Sequence, residues 1–168
     1  AMMTGMFASI FLDDMTWSMP EHQRIVHMAA MLMDMEIASL DGILARSQKD
    51  FDGLKLLRGE KFAIINHAKI AAEKIMGIKK IPEDVARLVK CHHGTSSGVG
   101  FDLAPEDQIY SFAWLFVFAE ELSHFTLKNY RTLWDGSNLQ GHFQNKYPEN
   151  KIIQKLLGKV LLEASTAL

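Results

Sequence analysis

The sequence predicts an all-α protein, a single helical bundle of about six or seven helices. Three observations carry this. Four prolines, Pro20, Pro82, Pro105 and Pro148, are each followed directly by a glutamate: Glu21, Glu83, Glu106 and Glu149. Apolar residues after them recur at three- and four-residue steps, the spacing of one helix face. The apolar–polar alternation of a half-buried strand is missing throughout. Proline suits the first helical position because its missing N–H would have no partner there. An acidic residue beside it favours the positive end of the helix dipole. The four Pro-Glu pairs therefore read as four helix starts.

Each segment fits that reading in turn. After Pro20, residues Ile25, Met28, Ala29, Leu32 and Met33 share a face. Leu54, Leu57 and the stretch Phe62 to Ile65 open a second pattern, which runs through Ala68, Ala71, Ala72 and Ile75 to a stop near Gly77. After Pro82, Val85, Leu88 and Val89 lie together, and the Gly94 to Gly100 stretch ends that helix. After Pro105, Ile109, Phe112, Ala113, Phe116 and Ala119 form a face on a segment that is apolar nearly all round. That segment should be the central, buried helix. Asp135-Gly136-Ser137-Asn138 reads as its stop. After Pro148, Ile152, Ile153, Leu156, Leu157, Val160 and Leu161 make a wide stripe, interrupted only by Gly158.

Composition narrows the function. A chain of 168 residues suits one domain spanning 1–168. An apolar fraction of 48% and a charged fraction of 23% exclude a disordered tail, a collagen-like fibre and a simple coiled coil. Eighteen basic against twenty acidic residues give none of the basic excess of a nucleic-acid polymer binder. The single cysteine, Cys91, cannot form an internal disulfide, so a reducing cytoplasm is expected. The longest apolar run, Phe112 to Ala119, is far short of the ~20 residues of a spanning helix, so no membrane insertion is expected. The opening Ala1-Met2-Met3 reads as a remnant of expression around a start methionine, leaving room for a longer natural protein. Nine of the ten methionines lie at or before Met35; they serve either as flexible core filler or as a soft partner surface.

The chemistry lies with the seven histidines: His22, His27, His67, His92, His93, His124 and His142. Adjacent helical residues point about 100° apart, so His92 and His93 can reach one centre only near a helix end, which Gly94 supplies. Imidazole is the commonest metal ligand. A His-His pair by itself is also a common surface or capping feature, His67 could be a satisfied core histidine, and Asp34 and Glu120 could be solvated carboxylates.

The neighbourhood of the pair resembles a known family. Cys91-His92-His93-Gly94-Thr95-Ser96-Ser97-Gly98-Val99-Gly100-Phe101-Asp102 is similar to the HHExxxGxGYP signature of the HD-GYP family. Both histidines and both later glycines fall at the family's spacing. Gly94 replaces the glutamate, Phe101 the tyrosine and Asp102 the proline. Asn66-His67-Ala68-Lys69-Ile70-Ala71-Ala72-Glu73-Lys74-Ile75 looks like its HPxxGAxxL helix. Phe118-Ala119-Glu120-Glu121-Leu122 resembles the segment ending AADVFDAL, with Glu120 at a ligand aspartate. Ala29-Ala30-Met31-Leu32-Met33-Asp34 resembles AALLHD, the HD motif. The resemblance covers roughly Pro20 to Arg131, and His124, His22, His27 and His142 have no counterpart in it.

The resemblance implies an HD/HD-GYP-type bundle and bacterial cyclic di-GMP signalling. Family members hydrolyse this cyclic dinucleotide with two or three metal ions, which clamp the phosphodiester and activate a water. By analogy Asp34, the metal-bridging position, with His67, His92 and His93 would hold one transition metal: iron, manganese or zinc. The second metal would need the shared Asp34, Glu120, the HD histidine and a ligand on an earlier helix. Met33 stands at the HD histidine, the first metal-ligand helix is absent or altered, and no lysine follows Asp34. A thioether is a poor ligand for hard ions. The resemblance thus implies one retained half-site and weak or no phosphodiesterase activity. The alternatives are a non-catalytic, partner-binding scaffold, or a competent phosphodiesterase completed by residues outside this chain. Gly98, Gly100 and Phe101 would form a substrate or partner loop. Expected partners are cyclic di-GMP or a related nucleotide and a GGDEF-type diguanylate cyclase, with a homodimer as a further option.

Overall fold

A computed structural model describes residues 1–38, 42–43, 45, 51–99, 109–129 and 136–166. Among these there are seven helices and no strand: α1 (Met2–Asp13), α2 (Pro20–Leu32), α3 (Arg58–Met76), α4 (Glu83–Cys91), α5 (Ser111–Lys128), α6 (Gly136–Lys146) and α7 (Lys151–Thr166). The all-α class is as expected. No helix among the described residues is long and apolar enough to cross a membrane.

The central helix is α5. Every residue from Phe112 to Ser123 is buried, so neighbours must cover it from all sides. It packs against α1, α4 and α7; α2 lies on α1 and α4, and α3 lies on α4. Phe118 joins three elements, with its ring 5.1 Å from Phe11 of α1 and 4.7 Å from Phe143 of α6. Lys159 of α7 forms an ion pair with Asp14, just beyond α1.

The helix entries differ from the Pro-Glu reading. Pro20 does stand first in α2, where the Met19 amide donates to His22 Nδ1 at 3.0 Å. Pro82 is instead the N-cap of α4. Pro148 lies in a turn, and α7 is capped by Asn150, whose Oδ1 accepts from the Ile152 and Ile153 amides at 3.2 and 3.0 Å. An asparagine side chain supplies the acceptor that proline cannot. Pro105 and Glu106 lie outside the described residues, and α5 starts only at Ser111.

Two helices depart from the expected pattern. Met2 and Met3, read as part of a remnant of expression, lie in α1, which opens at Met2. Its exposed face carries Met2, Met6 and Ile10 instead of charges, so it lacks the polar stripe that marks an amphipathic helix. The Gly136-Ser137-Asn138 stretch starts α6, which buries Leu139 and Phe143 and leads to buried Tyr147. Helix α3 also reads differently at its start. Leu57 and Phe62 are exposed rather than core residues: Leu57 is the N-cap of α3, and its amide donates to Glu60 Oε2 at 2.8 Å.

Phe118→Ala should cost about 3–5 kcal/mol, the range for truncating a fully buried aromatic. Urea unfolding checks it: the midpoint should fall with an unchanged slope. Tyr110, the N-cap of α5, gives a second test. Its hydroxyl is buried with no hydrogen-bond partner among the described residues. Burial, aided by Cys91 and Asp84 and opposed by Arg87, pushes its ionisation above the usual phenol range. A raised folded-state pKa gives stability that is complete below the unfolded value of about 10 and lost as pH rises past it. Tyr110→Phe should therefore be neutral or stabilising at pH 7. It should also show a smaller loss of stability than the parent above about pH 10, read from urea midpoints at the two conditions.

Candidate metal centre

The candidate centre sits in the seam between α3 and α4. His67 lies within α3, and His92 and His93 directly follow Cys91, the last residue of α4. Gly94 closes that end with φ of +80°, and its amide donates to the Cys91 carbonyl at 2.8 Å. This left-handed turn suits glycine and lets two adjacent imidazoles face one point. His67 and His92 are almost fully buried, and His93 is half-buried.

The hydrogen bonds settle two tautomers. His67 Nδ1 lies 2.6 Å from the Ile64 carbonyl, and His92 Nδ1 lies 2.6 Å from the Val89 carbonyl. A carbonyl oxygen only accepts, so both Nδ1 atoms carry protons and donate. In the neutral rings each Nε2 then presents a lone pair. Those lone pairs meet: His67 Nε2 is 3.1 Å from His92 Nε2, and 3.0 Å from His93 Nε2. One proton from His93 can serve His67, but it leaves the His67–His92 approach as lone pair against lone pair. A shared cation removes the conflict. Backbone-anchored Nδ1–H groups are also what orients histidine ligands in metal sites.

The separations fit an ion. Two nitrogens at 2.0–2.1 Å from one metal lie about 2.9 Å apart at a right angle and about 3.3 Å apart at the tetrahedral angle. The three imidazoles can place ligand atoms mutually within 4.8 Å. Such a set suits zinc, iron, copper or nickel; it would hold the ion through the three Nε2 atoms.

The other expected residues are placed differently. Asp34 follows α2, and its Oδ1 lies 3.8 Å from His67 Nε2, outside hydrogen-bond range. Its segment is tied to α3 by Lys74, whose Nζ lies 2.8 Å from both Glu36 carboxylate oxygens. Asp34 and Glu120 both stand outside the three-histidine group. Glu120 is buried on α5, with Oε1 3.8 Å from His124 Nε2 one turn along. Met33 is a core residue in the central apolar cluster. Gly98 is buried, with φ of +69°, and its carbonyl accepts from the Lys69 amide of α3 at 3.2 Å. Gly100 and Phe101 lie outside the described residues.

One polar group escaped the sequence reading. Glu121 is buried on α5, where His142 Nε2 and Lys146 Nζ of α6 reach it at 2.7 and 2.8 Å. The available signal was a pair of carboxylates inside an apolar run; their partners follow no motif.

Comparison with protein-family models, with curated proteins and with solved structures gives no match.

A Cβ at Gly98 would lie 3.0 Å from the Lys69 backbone nitrogen and 3.0 Å from Lys90 Cγ. Gly98→Ala should thus lose about 1–3 kcal/mol, from left-handed strain and from the push against α3. Thermal unfolding measures the loss. The loop bearing Gly98 follows His93 directly, so metal affinity should fall with it.

Proposed function

We propose that this chain is an HD-GYP-like domain of bacterial cyclic di-GMP signalling that holds one transition metal and hydrolyses its nucleotide weakly or not at all. One observation carries the reading: three imidazole Nε2 atoms converge, two of them from rings locked by backbone carbonyls. The order and spacing of Asp34, His67, His92, His93 and the glycines after them support the family assignment. The eroded second half-site supports weak turnover. Met33 is packed in the core, Glu120 lies beside His124, and α1 carries no histidine and one acidic residue, Asp13, at its end.

When bound, the ion would supply Lewis-acid polarisation of a phosphoryl oxygen. The chain's own part is more limited. His67 and His92 would keep their Nδ1 protons on backbone carbonyls while their Nε2 atoms serve as ligands. Asp34, whose Oδ1 lies 3.8 Å from His67 Nε2, would accept a proton from a water on that side. A cytoplasmic setting and a GGDEF-type cyclase as partner belong to the same proposal.

Elemental analysis of protein purified without chelator should find no more than one iron, manganese or zinc per chain. His92→Ala should abolish it, exceeding the roughly 10–100-fold loss that follows removal of an outer partner of a ligand. Turnover of cyclic di-GMP with added manganese or iron should be absent or far below that of an intact family member. Retention of metal by His92→Ala would overturn the centre. Full turnover would overturn the weak-activity reading. Metal binding with no affinity for the nucleotide would leave a non-catalytic scaffold.

A further inference from the structure

A cavity of about 390 Å³ opens where the first turns of α2, α4 and α5 meet, and no member of the histidine cluster lines it. One wall is aromatic. The Trp17 ring lies 5.6 Å from His22 and 5.9 Å from Phe112, and His22 lies 4.9 Å from Phe112, centroid to centroid. The lining also carries an ion pair. Arg87 Nη1 and Asp84 Oδ1 are 3.5 Å apart, beyond the normal N–H···O range, and both side chains are about half exposed to solvent. The Arg87 guanidinium also stands 5.1 Å from the Tyr110 ring. His22 contributes a further donor: its Nδ1 accepts from the Met19 amide, so its proton resides on Nε2.

The cavity thus brings together one positive group, one negative group, an N–H donor and a cluster of rings. A simple anion would meet the Asp84 charge, and a simple amine would meet that of Arg87. A molecule carrying both charges satisfies both, and replaces one long ion pair with two short ones. We propose that this cavity binds a small zwitterion with an apolar ring, an aromatic α-amino acid. Its carboxylate would sit on Arg87 and the His22 Nε2–H, its ammonium on Asp84, and its ring against Trp17 and Phe112. The volume lies within the ~300–1,000 Å³ of small-molecule sites. The proposal is independent of the metal centre and of the nucleotide reading.

Calorimetric titration of the full chain with L-phenylalanine, phenylacetate and phenethylamine tests it. L-phenylalanine should saturate the site, and each singly charged analogue should bind at least about tenfold more weakly, as expected for losing one hydrogen bond to a charged group. Arg87→Gln should reduce L-phenylalanine binding toward the phenethylamine level and should strengthen phenethylamine, whose ammonium no longer meets a positive charge. Asp84→Asn should do the reverse, reducing L-phenylalanine to the phenylacetate level. Both substitutions are on the surface, where folding tolerates change; helicity and metal content check that. The ligand series on the unmodified chain stands alone if either variant misfolds. Phenylacetate binding as tightly as L-phenylalanine would mean a plain anion site, and equally tight phenethylamine a plain cation site. Either result, or no saturation by L-phenylalanine up to its solubility, overturns the proposal.

Discussion

Everything in this bundle is arranged around the desolvation of α5. Twelve consecutive residues, Phe112 to Ser123, are buried, so no face of that stretch is left to water. A helix that is apolar all round is stable only when enclosed. Enclosure is what brings α1, α4 and α7 onto it, and what draws α6 in through Phe143 against Phe118. It also explains the treatment of the carboxylates on α5. Glu121 meets His142 and Lys146, and Glu120 lies close to His124, because a buried charge without such company costs several kcal/mol.

The histidine cluster follows from the same arrangement one layer out. With α4 held on α5, α3 docks on the other side of α4, and their seam is dry enough to bury His67 and His92. Burial raises the stakes for each ring nitrogen, since every polar atom there needs a partner. The Nδ1 atoms find theirs three residues back along their own chain. The Nε2 atoms approach one another, which lone pairs resist and a cation favours. An ion there would link the only helix pair of the site to one point, so metal binding and the docking of α3 would be coupled.

Glycine at two positions makes this possible. Gly94 turns the chain so that His93 joins His92, and Gly98 brings the following loop against α3 with almost no space to spare. Gly98, expected in a substrate or partner loop, therefore has a packing role. Gly98 is a contact with the helix that carries His67 rather than an exposed residue.

The sequence by itself determined the helical class, the central position of α5 and the three histidines, because periodicity, uniform apolarity and the choice of imidazole are local properties. Helices α1 and α6 were less legible. The first lacks a polar stripe. In the second, Leu139, Phe143 and Tyr147 keep a four-residue spacing behind a stretch that reads as a stop. Only tertiary structure decided that Leu57 and Phe62 face solvent, that Glu120 stands with His124, and that His22, Arg87 and Asp84 line one cavity. It also decided that the His67 Nε2 meets those of His92 and His93 at 3.1 and 3.0 Å. Such facts depend on the distance and rotation between helices remote in sequence, set by how their side chains interdigitate, and no local pattern encodes them.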